Sequence, residues 1–376
     1  MAEKKFLMGN EAIGRAARAA GARAMFGYPI TPSCEIMHFW AGEAASDRGK
    51  EDRLVFTQAE DEAGSGFMLI GSVLTGTRAF TATAGPGHVI IQDAFSMAEA
   101  MRLPIVAFVM QRGGPSTSTV IYSQSEVNLA CFGGNGNGYR IVYSPATVQE
   151  LYDYGIKVFN VAWKHRFPTI LLGDGYLAKM MAEVELYDPS ERGIVMEPTE
   201  AYILERTRSR RLEDVVPSPE IHIRHVDGVE YACLRNCLNL EEEALAVNTE
   251  IKAAFEAAAP EIEEHETYGD STAPTLIVAH GTVSAAAKTA IDGLREKGVA
   301  ARLFRPITLN PFPADALRAA VAGAKRVFVP ESADGQLARI VAHALCGRTP
   351  GPLIEYSRPS MGILPEEIEM LVLDAK

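Results

Sequence analysis

Apolar positions along the first half of the chain follow two alternating rhythms. Residues 9–21 place apolar side chains at helical spacing and stop at Gly21. Residues 24–27 then form a short apolar run that opens into Tyr28-Pro29-Ile30-Thr31-Pro32-Ser33, where two prolines forbid regular structure, and a helix is predicted from about Cys34. Further short runs, apolar on both sides, lie at 54–57, 78–83, 105–110, 139–143 and 168–172, with helical segments between most of them. A strand with no polar face must be covered on both sides. The pattern therefore predicts a doubly wound parallel α/β sheet over residues 1–190.

Residues 191–270 break the rhythm. They hold Pro217 and Pro219, then an Ala/Glu-rich, helix-prone stretch across 239–265, and are expected to form a connector that wraps onto the first domain or a partner. Alternation resumes at Pro274, with strands predicted at 275–279, 299–304 and 326–329, a helix at 284–297 that ends at Gly298, and a loop at 305–313. Residues 271–376 are long enough for a second, smaller α/β domain.

Composition agrees with two packed cores: 47% of the 376 residues are apolar and only 22% are charged. Gly9 and Asn10 interrupt the opening apolar residues too early for a secretory core, and no later run has membrane-spanning length, so a cytoplasmic protein is expected. The five cysteines, at 34, 131, 233, 237 and 346, contain no CxxC, so the chain is expected to hold no iron–sulfur cluster. A net charge of −12 argues against nucleic-acid and anionic-membrane partners. The basic knot Arg206, Arg208, Arg210 and Arg211 is read as a solvated edge or subunit contact. His222 and His225 lack further ligand-type neighbours, and no metal is assigned.

Ligand sites in parallel α/β sheets form at the carboxyl ends of the strands. Here those ends carry 28–33, 83–88 and 112–119, and Glu60-Asp61-Glu62-Ala63-Gly64 opens a helix after the strand at 54–57. Tyr-Pro-Ile-Thr-Pro-Ser, Asp-Glu-Ala-Gly, Thr-Ala-Gly-Pro-Gly, Gln-Arg-Gly-Gly-Pro-Ser-Thr and the later Arg-Pro-Ile-Thr-Leu-Asn-Pro-Phe-Pro occur in that order. The ordered set resembles the alpha subunits of 2-oxo acid:ferredoxin (acceptor) oxidoreductases, the 2-oxoglutarate, branched-chain 2-oxo acid and pyruvate synthases.

The resemblance implies a thiamine-diphosphate-binding, pyrimidine-type domain followed by a transketolase C-terminal-like domain. The cofactor would be shared with a beta subunit that holds the diphosphate and Mg2+. Gamma and ferredoxin-like delta subunits would carry [4Fe-4S] clusters, coenzyme A would take the acyl group, and ferredoxin or a flavin/NAD subunit would take the electrons. Glu62 matches the glutamate that bonds the aminopyrimidine ring, so that proton exchange there activates the cofactor. Without the motif, Glu60, Asp61 and Glu62 read as first-turn acids complementing the helix dipole, a reading kept for Glu60 and Asp61. Thr31 and Arg112, with Gly113 beside it, match positions that contact the substrate, and an arginine fork suits the carboxylate of a 2-oxo acid. Tyr28, Pro29, Ile30, Thr83, Gly85, Pro86 and Gly87 are expected to shape the cofactor pocket.

Gly173-Asp174-Gly175 imitates the start of a diphosphate and Mg2+ motif. The next asparagine is Asn236, too distant to supply the second ligand, so the triplet is read as an ordinary turn after a strand. Gly281 and Thr282 open a predicted helix as a plain N-cap. Ala333 stands where the family commonly has asparagine, which leaves the local subunit contact open. Val120-Ile121-Tyr122 replaces small polar residues and either favours an apolar or aromatic 2-oxo acid such as phenylglyoxylate over 2-oxoglutarate, or faces an interface. Two other functions share these features: a split-subunit non-oxidative thiamine decarboxylase and a scaffold subunit without catalysis.

Overall fold

The computed structural model describes residues 3–50, 53–121, 123–199, 238, 240–346 and 351–375, together with the backbone of 221–226 and 229–234. The larger sheet has seven strands in the spatial order Thr308–Asn310, Ile141–Tyr143, Thr169–Asp174, Val106–Gln111, Ala79–Thr83, Ala24–Gly27 and Val55–Gln58. Its pairs are parallel except the first, which is antiparallel.

The strand Val106–Gln111 shows why the sheet is covered twice. Its residues are all buried, and they divide by parity: Ala107 and Val109 enter one apolar cluster, while Val106, Phe108 and Met110 enter another. Helices Gly9–Ala19 and Val148–His165 pack together on the second of these faces, and helices Glu62–Leu74 and Gln92–Ala100 on the first.

The smaller sheet runs His265–Gly269, Ala301–Pro306, Thr275–Val278, Arg326–Glu331 and Leu353–Ser357, parallel apart from its first strand. One of its faces joins the first apolar cluster, which places Leu276, Val278 and Val329 in the same core as Ala107 and Val109.

Thr308–Asn310 was expected to lie within a loop. It instead leaves the smaller sheet's neighbourhood and pairs with Ile141–Tyr143, completing the edge of the larger one. A strand of three residues, followed at once by Pro311, is too short to show a period-2 pattern. A second unexpected pairing joins Glu3–Met8 to Met181–Leu186, antiparallel.

The helix expected in 239–265 spans Glu241–Ile262 and lies on the larger sheet's side of the molecule. Ile251, Phe255 and Ile262 are its buried anchors, with Phe255 edge-on to Phe167 at 5.2 Å between ring centroids. Arg206, Arg208, Arg210, Arg211 and Cys237 fall outside the described residues, and so does Tyr122. His222 and His225 sit on Ile221–Val226, where the backbone alone is described. Among the described residues no helix is long and apolar enough to cross a membrane.

Candidate active site

The strands Val106–Gln111, Ala79–Thr83, Ala24–Gly27 and Val55–Gln58 are consecutive in the sheet, so their carboxyl ends bring four segments to one edge. Asp61 caps the helix Glu62–Leu74 by accepting from Gly64 N at 2.7 Å, and both it and Glu60 are exposed. This is the use expected of Asp61. The next residue, Glu62, turns inward and is 5% exposed, so two adjacent acids of the same turn do different work.

Glu62 is packed against Gly87 and Thr83. A Cβ on Gly87 would lie 2.3 Å from Glu62 Oε1 and 2.5 Å from Thr83 Oγ1, so any larger residue must displace one of them. Thr83 Oγ1 is buried with no hydrogen-bond partner among the described residues. Burial pushes the Glu62 carboxyl above its ordinary pKa, and the charge on Asp61 adds to the rise. A protonatable acid beside an unsatisfied hydroxyl is a cradle for a polar ring. Gly87→Ala is expected to displace the Glu62 carboxyl or the Thr83 hydroxyl and to lower any activity that depends on their placement by about a hundredfold. Steady-state kinetics beside a melting curve checks this.

Arg112 follows the strand Val106–Gln111 and is 6% exposed. Its Nη1 donates to Thr31 O and its Nη2 to Thr117 O, each at 2.9 Å, which joins the predicted Thr31 and Arg112 through the Thr31 carbonyl. Gly85 adopts φ of 50°, and a Cβ there would lie 2.8 Å from Arg112 Cδ and Nε, so the arginine stem rests on the Gly85 backbone. Two of five N–H groups are spent on these carbonyls, and Nε is buried against Gly85 with no hydrogen-bond partner among the described residues.

The other predicted residues surround this pair. Tyr28, Pro29 and the Thr31 side chain are exposed, and Ile30 is half-buried. Pro86 opens the short helix Pro86–Ile90. A Cβ on Gly113 would meet Thr119 Oγ1 at 2.4 Å and Ser360 Oγ at 2.6 Å, so a loop from the far end of the chain closes over it. Val120 and Ile121 are exposed on the loop that follows.

Two residues of this region were given no role by the sequence: Glu126, and His88 at the end of the loop 83–88. Glu126, 4% exposed, accepts from Gly85 N at 2.9 Å and Arg112 N at 2.8 Å, both on Oε1, while its Oε2 lies 2.8 Å from His88 Nδ1. His88 is fully buried. The available signal was a polar run, Ser123-Gln124-Ser125-Glu126, buried at three of its four positions just before a short helix.

Asp174 is no turn residue. It ends the strand Thr169–Asp174, helix Gly175–Lys179 follows at once, and its two carboxylate oxygens bond to different units, Oδ2 to Thr282 of the second and Oδ1 to Gln111 of the larger sheet. Thr282 donates to Oδ2 from its backbone N at 2.7 Å and from Oγ1 at 2.6 Å, and Gln111 Nε2 donates to Oδ1 at 3.1 Å. The helix Gly281–Glu296 is thus capped by an acid from another sheet instead of by its own N-cap residue, His280.

Burial outweighs these hydrogen bonds and pushes the Asp174 pKa up to about 6 from 3.8. For an acid raised on folding, the stability contribution is full below the unfolded value and is lost as pH rises through the folded one, here by about 3 kcal/mol. The thermal-midpoint difference between wild type and Asp174→Asn should therefore shift in the variant's favour as pH rises from 4 to 7. A flat difference across that window would contradict it.

Comparison with known proteins gives the chain relatives. Residues 15–232 match the family described as pyruvate flavodoxin/ferredoxin oxidoreductase, thiamine diphosphate-binding, and residues 273–363 match pyruvate:ferredoxin oxidoreductase core domain II. The chain is 31% identical over 371 residues to a 2-oxoglutarate synthase subunit KorA of Archaeoglobus fulgidus, covering 98% of this chain and 99% of that one. It is 30% identical to a ketoisovalerate oxidoreductase subunit VorB of Methanothermobacter marburgensis, with 93% and 94% covered. Among solved structures, the 2-oxoglutarate:ferredoxin oxidoreductase from Magnetococcus marinus, with 2-oxoglutarate, coenzyme A and succinyl-CoA bound, superposes with a TM-score of 0.82 at 24% identity. That match covers 99% of this chain and 65% of the solved one, and it bears on the fold.

Proposed function

The chain belongs to the alpha subunits of the 2-oxo acid:ferredoxin (acceptor) oxidoreductase family, and from that premise we propose that its Glu62 cleft is half of a thiamine diphosphate site. It is a subunit of a multi-subunit oxidoreductase and carries the family's thiamine diphosphate-binding fold. The observation that supports the cleft's role is the buried Glu62 carboxyl set against Gly87 beside the unpartnered Thr83 hydroxyl.

These residues fit an aminopyrimidine ring: Glu62 exchanges a proton with a ring nitrogen, Thr83 offers a hydroxyl, and Gly87 leaves room for both. Tyr28, Pro29, Ile30, Gly85 and Pro86 wall the cleft. When bound, thiamine diphosphate would supply a nucleophilic carbon and an electron sink for loss of carbon dioxide. Arg112, Thr31 and Gly113 orient the substrate carboxylate.

Exposed apolar side chains stand on the same elements as the site. Phe67 and Met68 stand on the helix begun by Glu62, Val89 and Ile90 follow Gly87, and Tyr28 rises from the neighbouring loop. A surface of this kind beside a half-built site is suited to burial by another subunit. In the proposal that subunit is the beta type and brings the diphosphate and Mg2+ ligands, since Asp174 is already committed to the Thr282 helix. In the same proposal, [4Fe-4S] clusters on gamma- or delta-type partners would carry the electrons toward ferredoxin, and coenzyme A would take the acyl group.

For the substrate, 2-oxoglutarate follows the name of the Archaeoglobus relative, while exposed Val120 and Ile121 near Arg112 suit an apolar acid. Acceptor reduction by the purified complex with coenzyme A, tested against 2-oxoglutarate, 2-oxoisovalerate, pyruvate and phenylglyoxylate, identifies which. Turnover of none of the four, in a complex that retains thiamine, iron and acid-labile sulfide, would refute the reading. Thiamine without iron would favour the non-oxidative decarboxylase instead.

A further inference from the structure

Glu126 is bonded to the two strand ends that carry the candidate chemistry, and it is assigned no part in the scheme above. Resting on that reading of the Glu62 cleft, we propose that Glu126 is a positioning residue that fixes Arg112 in register with the cofactor loop. Its Oε1 accepts from Gly85 N, two residues beyond the strand Ala79–Thr83, and from Arg112 N, one residue beyond the strand Val106–Gln111, and those strands pair directly in the sheet. Buried amides that have run off the end of a ladder require an acceptor, and here a single oxygen serves both. The shared acceptor sets the separation of the two loops. That separation matters because the Arg112 stem rests on Gly85 with no space for a Cβ between them.

The second oxygen extends the same clamp. Oε2 meets His88 Nδ1, so Gly87, against which the Glu62 carboxyl packs, is held between two residues tied to one carboxylate. Glu126 is in turn held from behind. Its backbone N donates to Gln111 Oε1 at 3.2 Å, and the preceding Gln124 exchanges bonds with Ser332 of the smaller sheet's unit, 2.8 Å from Gln124 N to Ser332 O and 3.1 Å from Ser332 N to Gln124 Oε1. The clamp therefore anchors the arginine to both units.

The test uses the complete complex carrying Glu126→Ala, Glu126→Gln or Glu126→Asp, with kcat and KM measured for the preferred 2-oxo acid alongside thiamine content and subunit assembly. Glu126→Ala should raise KM and lower kcat, for a combined loss of about tenfold to a hundredfold in kcat/KM, in a complex that still retains thiamine. Glu126→Gln keeps an oxygen for both amides and should recover most of that loss. Glu126→Asp withdraws the oxygen by one methylene and should resemble alanine. A Glu126→Ala complex with kcat/KM within about twofold of wild type, or a glutamine variant as impaired as alanine, would overturn the proposal. If alanine and aspartate both fail to assemble, Glu126 is a scaffold residue and the proposal falls as well. Normal Glu126→Ala kinetics alongside an inactive Glu62→Gln removes this inference alone; an active Glu62→Gln removes the cleft reading itself.

Discussion

Glu62→Gln in the assembled complex is expected to reduce kcat by about 10²- to 10⁴-fold, the range over which a positioned proton-transfer group contributes. Glutamine fills the same space against Gly87 and can still bond a ring, but it has no proton to exchange. Stability moves the other way. Burial raises the pKa of this acid on folding, so its stabilising contribution is present at low pH and lost as pH rises through the folded value. The neutral amide avoids that loss and should melt no lower than wild type at neutral pH. Turnover and melting temperature therefore diverge if Glu62 serves catalysis, whereas an acid kept only for packing would leave turnover intact. Acceptor reduction measured beside thermal unfolding decides between them.

Arg112→Lys is expected to have the next largest effect. The ammonium keeps the charge yet cannot reach Thr31 O and Thr117 O together while presenting a planar fork to a carboxylate. Removing such a buried, bonded group from its place costs roughly 3 kcal/mol, about a hundredfold in kcat/KM. The loss should fall on both constants, because the carboxylate must be gripped on binding and directed as carbon dioxide leaves. A lysine variant with unchanged KM for the 2-oxo acid would remove Arg112 from the substrate's surroundings.

The legible part of the fold was its interior. The strand at 24–27 was placed at its observed bounds, and 78–83, 105–110 and 168–172 within two residues at either end, because strands covered on both faces read as unbroken apolar runs. What went unread lay at sheet margins. Thr308–Asn310 and Glu3–Met8 are strands by virtue of partners more than a hundred residues away, and neither has a local pattern that says so.

The candidate site divides in the same way. Thr31 and Arg112 lie in proline- and glycine-rich loops, and Glu62 and Gly87 in the first turns of helices opened by Asp-Glu-Ala-Gly and Gly-Pro-Gly; the local composition marks all four, and the fold brings them to one edge. Glu126 and His88 are ordinary residues until they face each other across 38 positions. Asp174 looked like a turn residue because Thr282, which explains it, is 108 positions further on.

The short pairing of Thr308–Asn310 with Ile141–Tyr143 bears on how the protein can be divided. A fragment ending before residue 271 would expose the backbone of Ile141–Tyr143, three buried residues with open hydrogen-bonding groups, and invite intermolecular strand addition. The complementary fragment would carry a dangling tripeptide flanked by prolines. Co-expressed as two polypeptides the pieces should find each other, whereas either one produced separately should precipitate.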